Sequence, residues 1–203
     1  MNVQPVVPVS LTKNLNLIAR WVQPIMTQYN ITGVAEKQSG LADGVVSAFL
    51  SPANSKNGFT WGAGPVFLVP VASSDAFKSK QFGIGPTAVA LKQTNGWTLG
   101  GLVNQVWRVS GGKDRPKVNQ FFLQPFVNYN WKSGAGLGAN VEWTHNWTAK
   151  TDVVWLNPTI SGLTALGKQK TQLAIGPRFN ISAPSNAKAS MGWRAVVIFL
   201  FPK

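Results

Sequence analysis

The segment Gly136-Leu137-Gly138-Ala139-Asn140-Val141-Glu142-Trp143-Thr144-His145-Asn146-Trp147-Thr148 decides how this chain is read. Leu137, Ala139, Val141, Trp143 and Trp147 fill one set of alternate positions. Gly138, Asn140, Glu142, Thr144, Asn146 and Thr148 fill the other. Successive side chains of an extended strand point to opposite faces, so this spacing makes one apolar face and one polar face. The pattern recurs. Leu173, Ile175, Phe179 and Ile181 oppose Gln172, Arg178, Asn180 and Ser182. Phe121, Leu123, Val127, Tyr129 and Trp131 oppose Gln120, Gln124, Asn128 and Asn130. Leu15, Leu17, Ala19 and Trp21 oppose Asn14, Asn16 and Arg20, with Ile18 out of step.

Extended along the chain, the alternation predicts about eleven strands, at 2–9, 14–27, 42–52, 58–71, 80–92, 96–109, 117–132, 136–148, 152–166, 169–182 and 188–202. Most reach the roughly 9–11 residues that a tilted transmembrane strand needs. The connections alternate in length. Those at 28–41, 72–79, 110–116, 149–151 and 183–187 are longer on average than those at 10–13, 53–57, 93–95, 133–135 and 167–168. Outer-membrane barrels pair long extracellular loops with short periplasmic turns in this way. With the C-terminus on the periplasmic side, Trp107, Phe121, Trp143, Trp147 and Trp193 fall near the outer ends of their strands. Phe59, Trp61, Trp97, Tyr129, Trp131, Phe199 and Phe201 fall near the inner ends. Such girdles flank the apolar band of a membrane barrel. A soluble sandwich core would explain the alternation but not tryptophan at both strand ends.

The expected fold is therefore all-β: a single antiparallel transmembrane β-barrel over residues 1–203, located in the bacterial outer membrane. Bacterial single-chain barrels have even strand counts, so the complete barrel is expected to have about twelve strands. One N-terminal strand and a signal peptide are then expected ahead of Met1. Pro24, Pro65, Pro86, Pro125 and Pro177 lie within strands and lack a ladder donor, which predicts bulges or pairing breaks.

Composition narrows the function. Charged residues make up 12% of the 203 residues, about half the usual share for a soluble protein, and no run is apolar enough for a transmembrane helix. The net charge of +13 first suggests nucleic acid, but it reflects few acids and scattered bases, so no nucleic-acid partner is expected. With no Cys, neither disulfides nor thiolate metal sites can form. His145 is the sole histidine and reads as an interfacial side chain between Trp143 and Trp147. A lipid-modifying barrel enzyme would place a serine two residues after its histidine, where this chain has Trp147. Asp43, Asp75, Asp114 and Asp152 read as scattered in or beside loops. The expectation is thus no enzyme, no catalytic residue, no metal and no cofactor.

On the polar face, Arg20, Arg108, Arg178 and Arg194 against Glu142, with Gln124, Asn128 and Asn140, are the candidates for lining a lumen and setting its selectivity. Arginines in a pore favour anions. The alternative is that arginines and glutamate pair and the amides fill a narrow barrel. Trp61, Trp97, Trp107, Trp131, Trp143, Trp147 and Trp193 are the girdle candidates. Trp61-Gly62-Ala63-Gly64-Pro65 and Phe82-Gly83-Ile84-Gly85-Pro86, with a weaker echo at Gly176-Pro177, place glycines toward the lumen. They would either bend the sheet or widen the pore, and bending is the favoured reading. The loop from Gly111 to Lys117 is basic, and Lys37, Lys78, Lys80, Lys150 and Lys188 fall on its side. Solvated loop charge is the plain reading, and lipopolysaccharide phosphates are the sharper one.

Asn2-Val3-Gln4-Pro5-Val6-Val7-Pro8, the two Gly-Pro segments (the second continuing through Thr87-Ala88-Val89), Asp114-Arg115-Pro116-Lys117-Val118-Asn119-Gln120, Phe122-Leu123-Gln124-Pro125-Phe126 and Phe199-Leu200-Phe201-Pro202-Lys203 carry a resemblance. They resemble the outer-membrane family labelled for the meta-pathway of phenol degradation, whose members are described as transporters, some under a neuromedin U-like name. The resemblance implies a barrel concerned with uptake of small, in part aromatic, compounds, and it supplies no binding residues. Residues 150–190 depart from it in being unusually basic. Together these readings predict an outer-membrane pore or transporter for passive passage of small solutes, aromatic or anionic. Its expected partners are the solute, outer-membrane lipids and lipopolysaccharide. A closed structural or adhesive barrel acting through its loops is the alternative.

Overall fold

The computed structural model describes the chain apart from residues 30–35, 113, 115, 186–187, 189–190 and 202–203 and the side chain of Tyr29. Much of the loop expected at 28–41, and Lys113 and Arg115 of the basic loop, thus lie outside the described residues. Thirteen strands form one antiparallel sheet: β1 (Asn2–Val3), β2 (Val6–Thr12), β3 (Leu15–Tyr29), β4 (Lys37–Leu41), β5 (Gly44–Pro52), β6 (Phe59–Val69), β7 (Gln81–Thr94), β8 (Trp97–Gly111), β9 (Asn119–Asn130), β10 (Ala135–Asn146), β11 (Thr151–Leu166), β12 (Gln169–Ser182) and β13 (Met191–Phe199). From β5 onward each strand pairs with the next, and the sheet curls into a half-barrel. Among the described residues no ladder joins β13 to β1 or β2.

The thirteen segments lie on eleven lines. β1 and β2 share one edge of β3, with Val3 opposite Gln23 and Val6 opposite Arg20. β4 and β5 share the other edge, with Leu41 opposite Ile25 and Val45 opposite Val22. β4 stands where the sequence predicts only loop. Its residues do not alternate apolar and polar; Gln28 donates to Gln38 and Thr27 pairs with Ser39 at 3.1 Å. A ladder of amides and hydroxyls leaves no hydrophobic period to read.

The tight turns cluster at one end of the sheet. Residues 95–96 form a two-residue hairpin in which Asn95 and Gly96 both have positive φ (47° and 84°), the conformation that matches strand twist. The longer connections 70–80, 112–118 and 183–190 lie at the other end.

Curvature comes from the Gly-Pro steps. A Cβ added at Gly64, Gly85 or Gly176 would sit inside the contact distance of a neighbouring strand's carbonyl oxygen: that of Ala48, Gln105 or Pro158 respectively. Each glycine precedes a proline that cannot donate to the ladder. Pro65 and Pro86 stand opposite one another across β6 and β7. The ladders lapse at these steps without changing register. On β5 and β6, for example, pairing runs from Ser47–Val66 to Leu50–Ala63, and on β7 and β8 from Ile84–Trp107 to Thr87–Asn104. These are the close backbone approaches and corners that a bent sheet needs, so the glycines bend the sheet rather than merely emptying its concave side.

The two faces are inverted relative to a soluble protein. Buried polar residues (Ser47, Ser51, Gln81, Thr87, Asn157, Thr171 and Asn180) outnumber buried apolar ones (Phe49, Val66, Ala72, Leu102 and Val106). Meanwhile Trp61, Leu99, Trp107, Leu137, Ile160, Ile175, Trp193 and Val197 stand exposed on the convex face. Soluble folds bury their large apolar side chains and expose their polar ones.

Candidate functional site

The polar residues of the concave face gather on β9 to β13. Glu142 on β10 is the hub. One of its carboxylate oxygens accepts from Arg194 Nη1 on β13 at 2.7 Å, and the other accepts from Arg178 Nη2 on β12. Gln124 on β9 donates to Glu142 and to Asn140, each at 3.4 Å. Asn157 on β11 also donates to Asn140, at 2.9 Å. The Arg178 guanidinium lies over the Trp155 ring, 4.4 Å from its centroid. That stacking holds the cation in place independently of the carboxylate. The side chains of Glu142, Arg178 and Arg194 retain 17%, 34% and 29% of their exposure, so the cluster is half-sunk and still reachable from the concave side.

These contacts depend on curvature. β10 and β13 are three strand spacings apart, about 14 Å on a flat sheet. Arg194 bridges that gap because the sheet folds its concave face inward. Arg20 of β3 lies six strand spacings from β10 along the sheet. Arg20 itself donates to Gln4 at 3.3 Å.

Of the eight residues expected to line a lumen, the structure thus joins Gln124, Asn140, Glu142, Arg178 and Arg194 in one network, while Arg20 bonds Gln4 instead. Arg108 stands apart at the long-loop end, donating to the Gly112 carbonyl at 3.4 Å. Asn128 lies toward the tight turns, opposite Gly138 of β10.

No family model, curated protein or solved structure matches this chain. What the protein does must therefore be argued from its own geometry.

All seven expected girdle tryptophans are exposed, and Trp21 joins them. At the tight-turn end, Tyr129 packs between Trp97 (4.9 Å) and Trp131 (5.1 Å). At the long-loop end, Phe121 meets Trp143 edge-on at 5.5 Å, and Trp147 donates to Gln105 at 3.0 Å. His145 has one carboxylate partner. Asp152 stands directly opposite it across the β10–β11 hairpin, 2.8 Å away, and also accepts from Trp143 at 2.7 Å. Equal counting from the turn at 147–150 would have paired the two. No group of three or more His, Cys, Asp or Glu is placed to hold a metal ion among the described residues.

Two further features escaped the sequence reading. Trp155 faces the concave side, unlike the girdle tryptophans. The concave side is also not polar throughout: Phe49, Val66, Leu102 and Val106 form a buried apolar sector on β5 to β8. Ile18, the residue that breaks the alternation of β3, stands beside this sector, half-buried and opposite Phe49.

Proposed function

We propose that this chain is an outer-membrane β-barrel through which small solutes, anionic or aromatic, pass passively. The observation that carries this reading is the inversion of the two faces. An apolar convex face with aromatic side chains at both strand ends suits lipid, and a concave face carrying Glu142, Arg178, Arg194 and Arg20 suits water and charge. Two guanidiniums meet one carboxylate there, and Arg20 adds a further cation to the same face, which gives the path a positive potential and favours anions. The resemblance to the phenol-degradation family points the same way and adds aromatic compounds to the class. Lys78 and Lys80, loosely paired with Asp75 and Asp114 at 3.9 Å, lie on the loop side, where lipopolysaccharide phosphates would be met.

One observation favours a second reading, a closed barrel that acts through its loops. The buried apolar sector on β5 to β8 narrows the concave side. Single-channel recording in a planar bilayer under a salt gradient separates the two. Discrete steps with an anion-biased reversal potential are expected of the pore. Inserted but silent protein would overturn the pore and leave the closed barrel.

A further inference from the structure

We infer that Glu142 is a built-in occupant of a carboxylate-binding site formed by Arg178 and Arg194. A solute carboxylate takes its place during passage. The inference rests on the concave face being the solute path.

The geometry of the pair is that of a receptor. Each guanidinium addresses a different oxygen of one carboxylate: Arg178 on Oε2, and Arg194 on Oε1 at 2.7 Å. Two charge-assisted bonds on one carboxylate are the strong, oriented kind, and they read a planar two-oxygen anion better than a spherical one. One half of the receptor has a support other than Glu142. Arg178 is held by the Trp155 ring on β11, while Arg194 reaches in from β13 with Glu142 as its hydrogen-bond partner. Arg178 Nε is buried with no hydrogen-bond partner, so the guanidinium has a donor that Glu142 does not use.

Beyond the two arginines the occupant is loosely framed. Apart from the two arginines, Glu142 receives, among the described residues, one long bond of 3.4 Å from Gln124. With two cations on one anion the cluster keeps a net positive charge, so a second carboxylate can enter without meeting net negative charge. An internal carboxylate that fills the site about nine-tenths of the time lowers the apparent affinity for an external one about tenfold. Glu142 would thus keep a strong site weak enough to release what it binds, which conduction requires.

The test is acetate binding, by isothermal titration, to protein folded in detergent. Wild type is compared with Glu142→Gln and Glu142→Asp, and chloride serves as the spherical control. Glu142→Gln should bind acetate about tenfold more tightly than wild type, with little gain for chloride. Equal acetate affinity in wild type and Glu142→Gln, or an equal gain for chloride, would overturn the inference. Should Glu142→Gln fail to fold, Glu142→Asp carries the test. Its shortened side chain withdraws from the arginines, and an affinity no higher than that of wild type would count against the proposal. Binding is read without conduction, so silent bilayers with tightened acetate binding would sink the pore and leave Glu142 as the occupant.

Discussion

Replacing Gly85 with alanine tests whether the Gly-Pro steps shape the sheet. The added Cβ would collide with the carbonyl oxygen of Gln105 and lie 3.3 Å from the Val106 Cα. Both are backbone atoms of β8, so no side-chain rotation relieves the clash. Either β7 and β8 part locally or β7 loses its bend. Forcing atoms into a packed site costs roughly 1–3 kcal/mol. Each neighbouring ladder hydrogen bond that is stretched adds about 1 kcal/mol. With one or two bonds affected, the expected loss is about 2–5 kcal/mol. Gly64→Ala and Gly176→Ala should behave alike, because their Cβ atoms meet the carbonyls of Ala48 and Pro158.

Gly162 on β11 supplies the control. A Cβ there has nothing within 4 Å. Alanine at Gly162 removes only the conformational freedom of a glycine and should be neutral or stabilise by about 0.5–1 kcal/mol. The two variants should therefore differ by about 3 kcal/mol, roughly a hundredfold in the unfolding equilibrium. Urea unfolding of detergent-folded protein, followed by tryptophan emission, reads the difference as separated midpoints at similar slope. Coincident midpoints for Gly85→Ala and Gly162→Ala would refute the claim that close backbone approach bends this sheet.

Charge reversal on the concave face should move ion selectivity. Arg178→Glu sets a second carboxylate beside Glu142 and should shift the reversal potential strongly toward cations, whereas Arg108→Glu, near the long-loop end, should shift it less; unchanged potentials in both would remove these side chains from the solute path. The girdle is checked in vesicles of brominated lipid. Trp193→Phe should remove lipid-quenched emission and Trp155→Phe emission that lipid does not quench, so equal quenched fractions in the two variants would contradict the assignment of faces.

How far the sequence could be read depended on what formed each contact. Strands stabilised by one apolar face carry a period of two, and most of the eleven lines were legible from it. β4 was not, because Gln28–Gln38 and Thr27–Ser39 hold it. In β11, Val153, Val154, Trp155 and Leu156 are apolar on both faces, which hides the period there. Register recovers what the period hides. Asn146 opposite Thr151 fixes Glu142 opposite Trp155, which places this one tryptophan on the concave side. The meeting of Glu142, Arg178 and Arg194 was beyond sequence reading. Their residue types and faces were evident, but β10 and β13 approach only because the sheet bends.

Gly176 ties that bend to the cluster. Its backbone approaches Pro158 of β11 too closely for any side chain, and the following Pro177 leaves the ladder unpaired. Gly176 is also the direct partner of Arg194 across β12 and β13, on the same concave face. A guanidinium that starts on β13 must pass over β12 to reach Glu142, and at that point β12 offers no side chain to block it. The next concave position along β12 is Arg178, the second cation of the pair. One residue without a Cβ thus does two things: it lets the sheet curve, and it opens the route by which the two arginines converge on one carboxylate. Gly85 serves curvature alone, since its partner Val66 needs no such route. The charge cluster follows from the fold's bending device and is not added to a finished scaffold.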